Sequence, residues 1–182
     1  MNYFKLFPEI NYNDYMVKNI LASVKINNLV KVNTESYYPY TIDEQDQAWM
    51  IAEDYYGEAS FVWLVYLSNE IIDPYYEWYM DTEKFERYIK KKYNSLALAQ
   101  STILHYKEVI SGVETGRTVS KDTYTYLPAS ANSDTFAVVG NLLPVYAYDY
   151  EDELNESRRV IKLLNNVYAE QAAENLKALL GK

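Results

Sequence analysis

The chain has 182 residues, enough for one domain or for one small module with an extended region that relies on a partner. Its 49% hydrophobic content excludes a disordered chain, and a net charge of -9 argues against nucleic acid as the main partner, because phosphate binding needs concentrated Lys and Arg. The absence of cysteine excludes a disulfide framework and a thiolate metal site.

At the start, Tyr3, Phe4, Leu6 and Phe7 form a brief aromatic cluster without the sustained apolar core of a signal peptide. No segment is long and apolar enough to span a bilayer, so the sequence reads as soluble or as part of a soluble assembly. Tyr15, Met16, Ile20, Leu21 and Val24 are spaced like a weak amphipathic helix that Asn11 or Asn13 would cap. Val24–Ile26 and Leu29–Val32, on either side of Asn27-Asn28, read instead as two short strands about a turn. With so little core of its own, residues 1–35 read as an arm that packs on something else.

The stretch 36–80 is richer in signals. Thr41 with Glu44 makes a capping-box pattern and predicts a helix that begins at about Ile42 or Asp43. Ala48, Ile51, Ala52 and Tyr55 then share one helical face, and Gly57 supplies a residue free to take the left-handed conformation that ends a helix. The run Phe61–Leu67 suits a strand by composition and either element by length, and periodicity does not decide between them. Asn69 is an acceptable helix C-terminal residue, and Asp73-Pro74 imposes an extended residue followed by a turn.

Beyond that stretch, Asp81 caps a predicted helix through Tyr93, whose stripe is Phe85, Tyr88, Ile89 and Tyr93. Lys90, Lys91 and Lys92 fall in its last turn, where cations complement the dipole. Leu96–Ala99 extends that helix or forms a second short one. From Ile103 the pattern alternates, and a hairpin is predicted with its turn at Gly112–Gly116 and its second strand through Tyr124 and Tyr126. Pro128–Asp134 reads as a loop, and Phe136–Val139 and Val145–Tyr150 as strands, with Tyr146, Tyr148 and Tyr150 on one face. The acidic run Asp149–Glu156 lacks the pattern of a calcium loop and reads as a solvated or partner-facing strand edge. Tyr168, Ala172, Leu176, Leu179 and Leu180 mark a final amphipathic helix ended by Gly181.

Several of these residues carry a resemblance. Ile51-Ala52, Tyr56-Gly57, Trp63-Leu64 and Asn69 look like the LysM pattern, whose fold is two helices packed on a two-stranded antiparallel sheet. More closely, Tyr56-Gly57, Phe61-Val62-Trp63 and Asp73-Pro74-Tyr75-Tyr76-Glu77-Trp78 are similar to the baseplate wedge protein of contractile-tailed phages that carries a LysM-like module. Leu154-Asn155-Glu156, Arg159 and Ile161-Lys162 extend that likeness near the carboxyl end. The resemblance implies that Phe61–Leu67 is helical and that an amino-terminal arm precedes the module. Fold class is then α+β in three parts: an arm over 1–35 of helix plus short strands, a LysM-like βααβ module over 36–80, and a strand-rich region over 81–182 that ends in a helix.

Little in the sequence points to catalysis. His105 is the single histidine, set between Leu104 and Tyr106, and alone it builds neither a metal site nor a nucleophile motif. A carboxylate pair such as Asp73 with Glu77 has the residue types of a glycosidase, but acids beside Pro and Tyr suit a turn and an interface rim. No phosphate-cradling, dinucleotide or calcium motif is present, so no cofactor, metal or small-molecule substrate is expected. The exception is Tyr75, Tyr76, Trp78 and Tyr79, four aromatics within five positions in a chain of 21 tyrosines. They cannot all point into one small core, and Trp and Tyr are the usual anchors of interfaces. The resemblance therefore implies a structural, non-enzymatic virion protein of the tail baseplate, made and assembled in the host cytoplasm, that joins adjacent wedges around the hub through contacts with other wedge and hub proteins. The alternative is a LysM module binding peptidoglycan or chitin-like chains, against which stand a single module and large flanks outside it.

Overall fold

An Asn-Asp pair at the start of the chain sets the first element. Asn13 and Asp14 both have positive φ, 50° and 66°, the backbone that a two-residue hairpin turn requires and that these two residue types tolerate. The flanking residues accordingly pair as antiparallel strands β1 (Glu9–Tyr12) and β2 (Tyr15–Lys18). The expected amphipathic helix over Tyr15–Val24 is thereby corrected: Tyr15 and Val17 obey a period of two, and Asn13 turns the chain instead of capping it. Of the two further strands expected, Val24–Ile26 is not one, and 29–32 falls largely outside the described residues. The computed structural model describes residues 3–22, 24–27, 30, 33–110, 112–126 and 141–180.

The chain divides into two compact units, one made of Met1–Tyr79 with Arg158–Lys182 and the other of Met80–Ser157. In the first, β3 (Tyr37–Thr41) pairs antiparallel with β7 (Val160–Leu164), from Tyr37 opposite Leu164 to Thr41 opposite Val160. The ladder continues at both ends, with Asn165 N–H donating to Ser36 O and Ile42 N–H donating to Arg159 O, each at 2.8 Å. This register leaves Pro39 at a non-bonded position, where its missing N–H costs the ladder nothing. Thr41 is held in β3, and no helix begins at Ile42–Asp43. The helix starts later, as α1 (Ala48–Tyr56), and buries Ala48, Ile51 and Ala52. Gly57 ends it at φ 79°, its N–H donating to Glu53 O at 2.9 Å.

The ambiguous run resolves as helix α2 (Val62–Ser68), entered by a 3-10 turn at Ala59–Phe61. Three consecutive residues, Trp63, Leu64 and Val65, are buried, which a half-solvated strand could not achieve and which a helix wedged between two clusters does. Val65 joins Ile42, Ile51, Ile161 and Leu163, whereas Trp63 and Leu64 join Phe7, Leu164 and the last helix. A short helix α3 (Pro74–Glu77) follows. The last helix, α8 (Ala169–Leu180), buries Ala169, Ala173, Leu176 and Leu180. Tyr168 and Leu179 of the expected stripe are exposed, and Gly181 is outside the described residues.

In the second unit, Asp81 caps α4 (Thr82–Tyr93) by accepting from Lys84 N–H at 2.8 Å, and Asn94 at φ 67° ends it. Ser95 caps a separate helix α5 (Leu96–Ser101). A three-stranded antiparallel sheet has the order β5-β4-β6, with β4 Ile103–Ile110, β5 Val113–Ser120 and β6 Asn141–Tyr146. Tyr124 and Tyr126, expected in a strand, lie in helix α6 (Lys121–Tyr126), because Ser120 Oγ accepts Thr123 N–H at 3.1 Å and starts a helical turn. The expected strand Val145–Tyr150 likewise stops at Tyr146, where α7 (Ala147–Ser157) begins, so Tyr146, Tyr148 and Tyr150 do not share a strand face. The acidic run is therefore helical, with Glu151 and Asn155, four apart, turned inward. The expected loop 128–134 and strand 136–139 are outside the described residues.

Candidate protein-contact surface

Helix α3 is only one turn long, so its geometry depends on capping. Asp73 accepts Tyr75 N–H at 3.0 Å, Pro74 occupies the first helical position, and Glu77 Oε2 accepts the N–H of Asp73 (3.0 Å) and Ile72 (2.7 Å). Those backbone donors, with Arg158 nearby, hold the Glu77 carboxyl below its usual range. Both carboxylates of the imagined glycosidase pair are thus engaged with backbone amides.

The four aromatics divide. Tyr75 and Tyr76 are 73% and 47% exposed, their rings 4.8 Å apart at 82°, an edge-to-face pair displayed to solvent beside Ile72, which is also exposed. Trp78 and Tyr79 are each 8% exposed. The Trp78 indole N–H donates to Asp46 O at 3.4 Å and its ring meets Tyr66 edge-on, while the Arg159 guanidinium lies 5.4 Å from the centre of the Tyr79 ring. One turn of helix, followed by extended residues, points two rings out and two in.

Other tyrosines serve the framework. Tyr56 donates its hydroxyl to Leu164 O at 2.9 Å, and burial pushes its ionisation well up. Tyr40 donates to Asp46 at 2.8 Å, and burial, with that carboxylate, pushes its hydroxyl up to about 12. His105 sits in β4 with its ring edge-on to Tyr150 at 5.7 Å. In the second unit Glu151, 4% exposed, receives Lys92 Nζ at 2.7 Å, the Tyr93 hydroxyl at 2.9 Å and the Tyr88 hydroxyl at 3.0 Å. Burial works to raise the Glu151 carboxyl, but these three donors outweigh it and hold the group below its usual range. The helical spacing of Tyr88 and Lys92 was in the sequence, but with 149–156 read as strand nothing paired it with Glu151.

Among the described residues no group of three or more His, Cys, Asp or Glu side chains is placed to hold a metal ion, and no helix is long and apolar enough to cross a membrane. The sequence matches a family of phage base plate components over residues 3–172 of the 182. The chain belongs to the family of base plate wedge protein 53. It is a structural component of the phage tail, and no curated protein matches it.

Proposed function

We propose that the protein joins adjacent wedges of a contractile tail baseplate around the central hub by contacts with neighbouring wedge and hub proteins, without turnover. The observation that carries this reading is the Tyr75–Tyr76 pair, two large rings held outward by a turn capped at its N-terminal end. Such amphipathic side chains give contact area at low entropy cost when a partner covers them. The order β3-α1-α2-β7, with its outer strands antiparallel, supports a LysM-like core made of residues 36–80 completed by 160–164. Assembly takes place in the host cytoplasm, before the protein becomes part of the virion.

The test is co-expression with wedge and hub subunits of the same phage beside a pull-down on purified peptidoglycan. Stable complexes that Tyr75→Ala/Tyr76→Ala weakens are expected. Retention on the glycan with no protein complex would reject the proposal in favour of a wall-binding module.

A further inference from the structure

The hairpin β1–β2 is amphipathic in an unusual place. Directly opposed residues share a face, so the pairs Ile10 with Val17 and Tyr12 with Tyr15 form one side, while Glu9 with Lys18 and Asn11 with Met16 form the other. The second side is solvated, with Lys18 Nζ 3.0 Å from Glu9. The first side is wholly apolar and aromatic, yet all eight hairpin residues are exposed, Tyr12 at 65% and Tyr15 at 74%. An isolated two-stranded hairpin is marginally stable in water and normally needs its apolar face covered. Phe4 and Leu21, just outside the hairpin, are also exposed at 61% and 89%.

We infer that the Ile10, Tyr12, Tyr15 and Val17 face of the hairpin is a docking surface for an uncharged apolar face on a different base plate subunit. This rests on the wedge-joining reading and adds a second anchor, on another element, to it. Two observations select the occupant. The charged residues from Tyr3 to Ala22 are Lys5, Glu9, Asp14 and Lys18, so the segment is neutral, and nothing on the apolar face calls for a charged partner. A second copy would bring another net charge of -9 against the first. Four side chains also cover on the order of 400 Å², about half of the roughly 800 Å² per partner in a standard interface. A symmetric dimer through this face alone is undersized, whereas one anchor within a larger contact to another subunit is not.

The experiment uses the full chain, co-expressed with each wedge and hub subunit of the same phage in turn, with complexes read by size-exclusion chromatography with light scattering and affinities by calorimetry. For the subunit that binds, Ile10→Asp/Val17→Asp is expected to weaken association by roughly tenfold or more, the scale of a truncated interface anchor. Asn11→Ser, on the solvated side, is expected to leave it unchanged. Amides of residues 9–18 are expected to gain exchange protection in the complex. Opposed aspartates also repel within the hairpin, so Tyr12→Ser and Tyr15→Ser, at the positions 65% and 74% exposed, are made beside them: each free form is expected to melt as the parent does while its association weakens, and unchanged association in both overturns the docking inference. A complex that forms equally well with Ile10→Asp/Val17→Asp, or whose 9–18 amides stay unprotected, overturns the docking inference and leaves wedge joining intact. No complex with any subunit overturns both, and a homodimer that the double variant abolishes overturns the choice of occupant.

Discussion

Glu151 shows how much one buried carboxylate can hold. It accepts from Lys92, Tyr93 and Tyr88 while almost excluded from solvent, so its removal strands three donors at once. Glu151→Ala is expected to lower the stability of residues 80–157 by about 2 to 3 kcal/mol, measured by urea unfolding with a probe in that unit. Because the folded carboxyl sits below its ordinary 4.5, its contribution is complete above that pH and is lost as pH falls through the lower folded value. The acid limb of the stability curve should therefore flatten in Glu151→Gln. Gly57 offers a cleaner backbone case. At φ 79° with nothing within 4 Å of where a Cβ would stand, Gly57→Ala is expected to cost about 1 kcal/mol purely from the left-handed conformation, and Gly57→Asn less, as thermal melts would show. Gly57 was legible in the sequence because Gly after a helical stripe has a local cause. Glu151 was not, since its partners are more than fifty positions away.

Elements with both a cap and a stripe were readable. Asp81 and the stripe Phe85 and Ile89 define α4, and the structure keeps both. Elements decided by tertiary pairing were not: Thr41 looked like a helix cap but is held by β7, and Tyr148 alternated like a strand residue but packs edge-on against Phe85, 5.7 Å away. The free edge of β7 shows the same dependence. Asn69 donates to Lys162 O at 2.9 Å and accepts Lys162 N–H at 2.8 Å, acting as a one-residue third strand, while also donating to Val65 O. Sequence reading gave Asn69 only a helix-ending role, which it has, and could not foresee the second. Asn69→Ala is expected to cost about 2 kcal/mol and to raise amide exchange at Lys162 above that of its neighbours in β7. Faster exchange spread evenly over β7 would instead indicate a general loosening. The outward pair Tyr75 and Tyr76 was legible only as a crowd of four rings; which two faced out depended on the one-turn helix.

At the scale of the whole chain, the two units suggest separability. Asn155 Oδ1 accepts Met80 N–H and Asn155 Nδ2 donates to Met80 O, both at 2.9 Å, so the ends of the 80–157 unit are tied to each other. Residues 80–157 expressed alone are expected to fold cooperatively, and Asn155→Ala to weaken that isolated unit more than any change at its exposed surface; circular dichroism melts would test both. Alkali should act on both units. Tyr40 in one and Tyr93 in the other are pushed up to about 12, by burial first and a hydrogen-bonded carboxylate second. Their contributions are complete below the ordinary 10.0 and are lost as pH rises toward the folded values, so each unit should lose stability between about pH 10 and 12, read as a falling melting temperature. The sequence placed boundaries along the chain at 35 and 80, and nothing local in it announces that 158–182 would fold back onto the residues before 80, because strand pairing at that distance leaves no periodic trace.

That return carries a cost in time. Ile42 and Arg159 exchange bonds across 117 positions, so on a ribosome β3 emerges long before β7 exists, with a full compact unit synthesised in between. The nascent amino-terminal half must wait with the cluster of Ile42, Ile51 and Val65 incomplete until Ile161 and Leu163 have been made. Truncation anywhere before Val160 should then yield aggregation or chaperone capture rather than a shorter working part.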